Sequence, residues 1–97
     1  MATNIILWKF TEQGMKNLKD SPSRLEAGIK AFESIGGKMH CAYYTIGEYD
    51  LVTIGEIADE QAGLAHTLVM NMAGNVKSVT LRAFTPAEFA EVLAKTP

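Results

Sequence analysis

Cysteine, histidine and proline are scarce in this chain: Cys41 stands alone, beside two histidines and three prolines in 97 residues. A single thiol excludes an internal disulfide, a CxxC redox pair and a cysteine-rich zinc site, and it fits a reducing compartment. His40 and His66 fall on different expected elements with no HxH or HExxH spacing, so no metal site is expected. Neither sign of charge dominates, since 9 basic against 11 acidic residues leave a net charge of −2. The clustered Lys and Arg that nucleic acid demands are absent, and nucleic acid is not an expected partner. Long apolar runs are missing too. Ile5-Ile6-Leu7-Trp8 is short and broken by Lys9, and Met1-Ala2-Thr3-Asn4 has no basic region, so neither a signal peptide nor a membrane partner is expected and the cytoplasm is the expected location. Gly14 and Gly36-Gly37 lack the GxGxxG or GxxxxGK[ST] arrangement that cradles phosphates, and no cofactor is expected.

What the chain does have is apolar content, 47% of its residues. Two independent cores within this length would each be too small to offset chain entropy, so residues 1–97 are expected to form one domain, and self-association would help so small a unit. Ile5 to Phe10 reads as a first, central strand. Thr11-Glu12-Gln13-Gly14 breaks it, and Met15 to Lys19 suggests a helical turn. Ser21-Pro22 then opens a helix, with the serine as N-cap and Leu25, Ile29 and Phe32 on one apolar stripe. Gly36-Gly37 supplies its left-handed stop. Lys38 to Ile46 and Tyr49 to Ile57 read as strands joined by Gly47-Glu48 in a tight type II′ turn, which pairs Thr45 with Asp50, Tyr44 with Leu51 and Tyr43 with Val52. Facing pairs share a side, so Cys41, Tyr43, Val52 and Ile54 lie on one face and His40, Tyr44, Leu51 and Thr53 on the other. Asp59 caps a second main helix, whose stripe is Ala62, Ala65, Leu68, Val69 and Met72, ended by Gly74-Asn75. Val76 to Phe84 is the fourth strand. Thr85-Pro86-Ala87-Glu88 is a capping box opening a short C-terminal helix with Phe89, Val92 and Leu93 on its apolar side.

This β-α-β-β-α-β order predicts an α+β, ferredoxin-like plait: a four-stranded antiparallel sheet with both main helices on one side and a short C-terminal helix. Two helices cover one face only. The other face is also apolar, so a second copy is expected to cover it, giving at least a homodimer.

Lys9-Phe10-Thr11, Gly14, Lys19-Asp20-Ser21-Pro22 with Arg24, the run Tyr44-Thr45-Ile46-Gly47-Glu48-Tyr49-Asp50, and Gly74-Asn75-Val76 together resemble the GYD-domain family over almost the whole chain. The resemblance implies a dimeric α+β barrel, an architecture shared by small cofactor-independent monooxygenases, isomerases and binding proteins. The family name carries no assigned biochemical activity, so function is argued from residues.

Asp50 is the carboxylate of interest: desolvated at the start of a strand it would act as a base, whereas beside a hairpin it commonly accepts turn N–H groups, and the second role is the expectation. His40 is a proton-shuttle candidate weighed against an exposed or hydrogen-bonded strand histidine, and His66 is expected to face solvent. Tyr44 and Tyr49 offer phenolic donors to a ligand or pair as aromatics across a sheet or interface. Trp8 beside Lys9 suits an anionic aromatic ligand or, as expected, a packed core with a snorkelling lysine. Arg24, in the first helical turn, can hold a carboxylate, and Arg82 with Glu56 forms a candidate ion pair. Cys41 is expected to be packing.

Three functions compete. The first is an oligomer that binds a small, partly apolar molecule between sheet and helices through Trp8, Tyr44, Tyr49 and Arg24. The second is a cofactor-independent monooxygenase- or isomerase-like enzyme using Asp50 or His40. The third is a structural or regulatory association module.

Overall fold

The computed structural model describes residues 1–97. Its elements are β1 (Ala2–Phe10), α1 (Glu12–Lys16), a 3₁₀ turn (Leu18–Asp20), α2 (Ser21–Ser34), β2 (Lys38–Tyr44), β3 (Leu51–Ile57), α3 (Glu60–Met72), β4 (Val76–Ala83) and α4 (Pro86–Leu93). The sheet order is β2-β3-β1-β4 and every pairing is antiparallel. This is the ferredoxin-like α+β plait, with β1 central between β3 and β4.

The chain leaves β1 differently from expectation. Thr11 does not merely break the strand but caps α1: its hydroxyl oxygen accepts the Gly14 N–H at 3.1 Å and its proton goes to Gly74 O at 2.5 Å. Thr11 N–H also donates to Asn75 O at 3.1 Å. Gly14 must be glycine here, because a Cβ would sit 2.0 Å from the Asn75 carbonyl oxygen. Ser21 is not an N-cap either. The 3₁₀ turn runs directly into α2, Ser21 N–H bonds to Leu18 O, and the freed hydroxyl turns inward to the Tyr44 phenol at 2.9 Å.

Tyr44 pairs with Leu51 and Tyr43 with Val52, the expected register. The connection is nevertheless not a two-residue type II′ turn. The ladder stops at those pairs, and residues 45–50 form an open loop with Gly47 at φ +154. That loop is closed by Thr45 N–H to Asp50 O at 2.9 Å and Thr45 Oγ1 to Tyr49 O at 2.6 Å. A register shift between Met39 and Cys41 makes His40 a bulge residue. The bulge carries its ring to the side of Glu56, 3.6 Å away, instead of the Leu51 and Thr53 side.

Burial alternates along β3: Leu51, Thr53, Gly55 and Ile57 are buried beneath the helices, and Val52, Ile54 and Glu56 are half-buried on the outer face. In α2, Phe32 is buried, with Leu25 and Ile29 half-buried on its stripe as expected. In α3 the stripe is different. Gly63 is buried and His66, Thr67 and Met70 are half-buried, whereas Leu68 and Met72 are 63% and 81% exposed. The cause is the close approach at Gly63, where a Cβ would come within 2.9 Å of Ile57 Cγ2. The helix lies down on its smallest side, and its row of large apolar residues turns outward.

Only 10 of 97 residues are buried, and the accessible surface is 6529 Å². A folded monomer of 10.6 kDa is expected to expose about 5,500 Å². The excess of roughly 1,000 Å² is comparable with the roughly 800 Å² that each partner contributes to a standard interface. Exposed or half-buried apolar residues lie on the outer sheet face, where Tyr43, Val79 and Leu81 are exposed and Ile5, Leu7, Val52 and Ile54 are half-buried, and along the outward row of α3. α4, opened by the Thr85–Glu88 capping box, stands at the end of β4 with Phe89, Val92 and Leu93 exposed.

Candidate functional site

A partly open cavity of about 130 Å³ lies between the inner sheet face and helices α2 and α3. Its floor is Ile6, Trp8 and Phe10 of the central strand, and its sides come from Leu25 and Ile29 of α2 and Met70 of α3. Strand alternation puts Trp8 and Ile6 on this side of β1. Lys9 is therefore on the opposite face and exposed, so the two do not form an aromatic wall beside an ammonium group. The Trp8 indole N–H donates to Thr53 Oγ1 at 2.9 Å, which fixes the ring against the floor with its one polar atom satisfied.

Arg24 lines the same cavity one turn into α2. Its Nη1 donates to Asn17 O at 2.9 Å, whereas Nη2 is buried without a partner. His66, expected in solvent, is brought inside by the rotation of α3. Its Nε2 donates to Gly28 O at 3.0 Å and its ring leans on Phe32 at 5.5 Å between centroids. Its signal was legible in the spacing Gly63, His66, Thr67, Met70, a helical face less apolar than its rival.

The other candidate residues lie apart. Asp50 is outside the cavity: its carboxylate accepts the Phe10 N–H at 2.8 Å and its own N–H donates to Trp8 O at 2.9 Å. The side chain thereby extends the β1–β3 ladder past its last backbone pair. His40 is on the outer face with Glu56, on the other side of the sheet from the cavity. Tyr44 reaches the rim only through Ser21, and Tyr49 contributes its carbonyl to the loop rather than a phenol to the cavity. Arg82 does not pair with Glu56. It donates to Thr3 O and Ala83 O at 3.2 and 2.6 Å and lies over the Phe84 ring. No three His, Cys, Asp or Glu side chains gather in one place, and no helix is long and apolar enough to cross a membrane.

The GYD-domain family model matches residues 5–93. The chain belongs to the GYD-domain family. Another protein similar to it, 29% identical over 91% of this chain and 94% of its own length, is the glutamine synthetase and cystathionine beta-lyase binding protein of Thermus thermophilus. Among solved structures, that of an FFRP protein superposes with a TM-score of 0.56 at 20% identity, covering 87% of this chain and all of the other. TTHA0845 from Thermus thermophilus gives 0.51 at 22% identity, over 88% of this chain and 95% of that one. At these identities the structures speak for the fold alone. Within the GYD domain several of the residues that carry the resemblance have places. Thr11, Gly14, Gly74 and Asn75 form one clasp and Asp50 another, and both fasten the same end of β1.

Proposed function

We propose that this GYD-domain protein is a self-associating binding module that holds a small, partly apolar molecule in the cavity beneath α2 and α3. The observation that carries the reading is the cavity itself, apolar on most of its wall and floored by Trp8, with few polar groups converging on it. Neither proton-transfer candidate reaches it: the Asp50 carboxylate is engaged by Phe10 N–H, and His40 is across the sheet. That distribution favours holding a molecule over turning one over. A second copy covers the outer sheet face, in keeping with the excess exposed surface.

The test is native mass spectrometry of protein purified gently from its own cells, with the oligomer mass read in the same spectra. A dimer or larger assembly carrying a stoichiometric small molecule supports the reading. A bare monomer across the working concentration range overturns it.

A second reading has the exposed apolar surfaces engaging other proteins. The Thermus relative, named as a binding protein for two enzymes, favours it, as does the outward row of Leu64, Leu68 and Met72 on α3, which the chain's own sheet leaves uncovered. Substituting Leu68→Glu would weaken capture of such a partner while leaving ligand uptake unchanged.

A further inference from the structure

We infer that the molecule this cavity takes is a monocarboxylate with a compact apolar body, and that Arg24 selects it. The inference rests on the binding reading above and adds to it the chemistry of the ligand's head. Its starting point is an imbalance. Buried donors in folded proteins almost always have acceptors, and an orphan on an ionised group is costlier than one on a neutral group. Arg24 Nη2 is such an orphan, buried and unpaired, while Nη1 of the same guanidinium is anchored on Asn17 O. The anchor removes much of the side chain's freedom, so that Arg24 is already held in place where it lines the cavity.

The surroundings supply no counter-charge. The lining contains no Asp or Glu, so nothing within the cavity competes for the guanidinium. Thr53 adds a second donor. Its oxygen already accepts the Trp8 indole N–H, which leaves the hydroxyl proton unspent in a residue only 4% exposed. Ser21, His66 and Asn75 also line the wall but are engaged by Tyr44, Gly28 O and Gln13, so one fixed cation and the Thr53 hydroxyl donor match a single carboxylate, whose two oxygens suit guanidinium geometry. A dianionic phosphate would find only one positive side chain. Size sets the rest: an apolar cavity of about 150 Å³ accepts benzene, so a partly open volume of about 130 Å³ limits the enclosed apolar body to at most one ring or a short branched chain.

The experiment uses Trp8, the chain's one tryptophan, as reporter in the full-length protein, with benzoate, benzamide and benzene as probes. Benzoate is expected to change Trp8 emission with an affinity roughly 10- to 100-fold above that of benzamide, the span set by a charge-assisted hydrogen bond. Arg24→Gln is expected to erase that preference while keeping benzamide binding. The wild-type comparison of benzoate with benzamide needs no variant, so it decides even if Arg24→Gln does not fold. Equal affinity for the two, or a benzoate preference that survives Arg24→Gln, overturns the carboxylate inference and leaves the cavity reading standing. Benzene binding without benzoate binding does the same. Failure of all three probes to bind overturns both.

Discussion

Removing the Asp50 carboxylate tests whether the motif residue with the most chemical promise is a fastening. In Asp50→Ala the two backbone bonds of residue 50 persist, to Trp8 O and from Thr45 N–H, and only the 2.8 Å bond from Phe10 N–H is lost. A hydrogen bond to a charged group contributes about 1.5–3 kcal/mol. Because this one is only part-buried, a loss of about 2 kcal/mol is expected. For a domain of this size each kcal/mol moves the midpoint by about 4–8 °C, so the melt should fall by roughly 8–16 °C. Asp50→Asn keeps an acceptor but loses the charge, which halves the bond, and should cost about 1 kcal/mol. Thermal unfolding followed by circular dichroism at one protein concentration reads both, and the fixed concentration keeps any assembly term constant. Uptake of the probe ligands should be unchanged below the transition. An Asp50→Ala protein melting with the wild type, or an Asp50→Asn protein of wild-type stability that no longer acts on or binds its small molecule, refutes the structural assignment.

Other perturbations separate the remaining joints. Gly14→Ala drives a methyl to 2.0 Å from the Asn75 carbonyl oxygen and should cost about 3 kcal/mol or more; soluble yield and melting temperature check it. Gly36→Ala meets nothing within 4 Å but keeps φ at +92, so its cost should be only about 1–2 kcal/mol. Leu81→Lys on the outer sheet face should shift the assembly toward monomer in sedimentation at fixed concentration, and an unchanged mass would show that another surface joins the copies. The Glu88 carboxyl is held below its ordinary value of 4.5, first by the Thr85 N–H and then by the Thr85 hydroxyl. Its contribution to the start of α4 is therefore complete above 4.5 and fades as pH falls through the lowered value. Amide protection in α4, taken relative to the intrinsic exchange rate at each pH, should fall across that acid range in the wild type, and a Thr85→Ala helix should show a weaker dependence.

Local chemistry made much of the plait legible. The Tyr44–Leu51 register, the left-handed stops at Gly36 and Gly74 and the Thr85–Glu88 box each follow from a few adjacent residues, and each is where the sequence placed it. Apolar count misled at α3, because the helix face is chosen by how closely Gly63 approaches Ile57, a distance between residues on separate elements. The bulge at His40 arises the same way, from two strands whose spacing has to be reconciled, and the run Lys38 to Tyr44 carries no local mark of it. Arg24 was readable as a carboxylate holder, but its orphan nitrogen was not. That depends on Asn17 occupying one end of the guanidinium while the fold buries the other without a partner.

The two clasps at the end of β1 bear on how kinship among such chains is interpreted. Of the residues that carry the family resemblance, Thr11, Gly14, Gly74 and Asp50 knot the first strand to its neighbours outside the chamber, whereas Phe10, Ser21, Arg24, Asn75 and Val76 line it. A roster compiled from the four knots alone sorts molecules by their carpentry. Two chains can share those four knots and still carry unlike cargo, so what each one holds is to be sought at the places matching Trp8 and Thr53, with Arg24 the one resemblance residue that carries a charge into the lining.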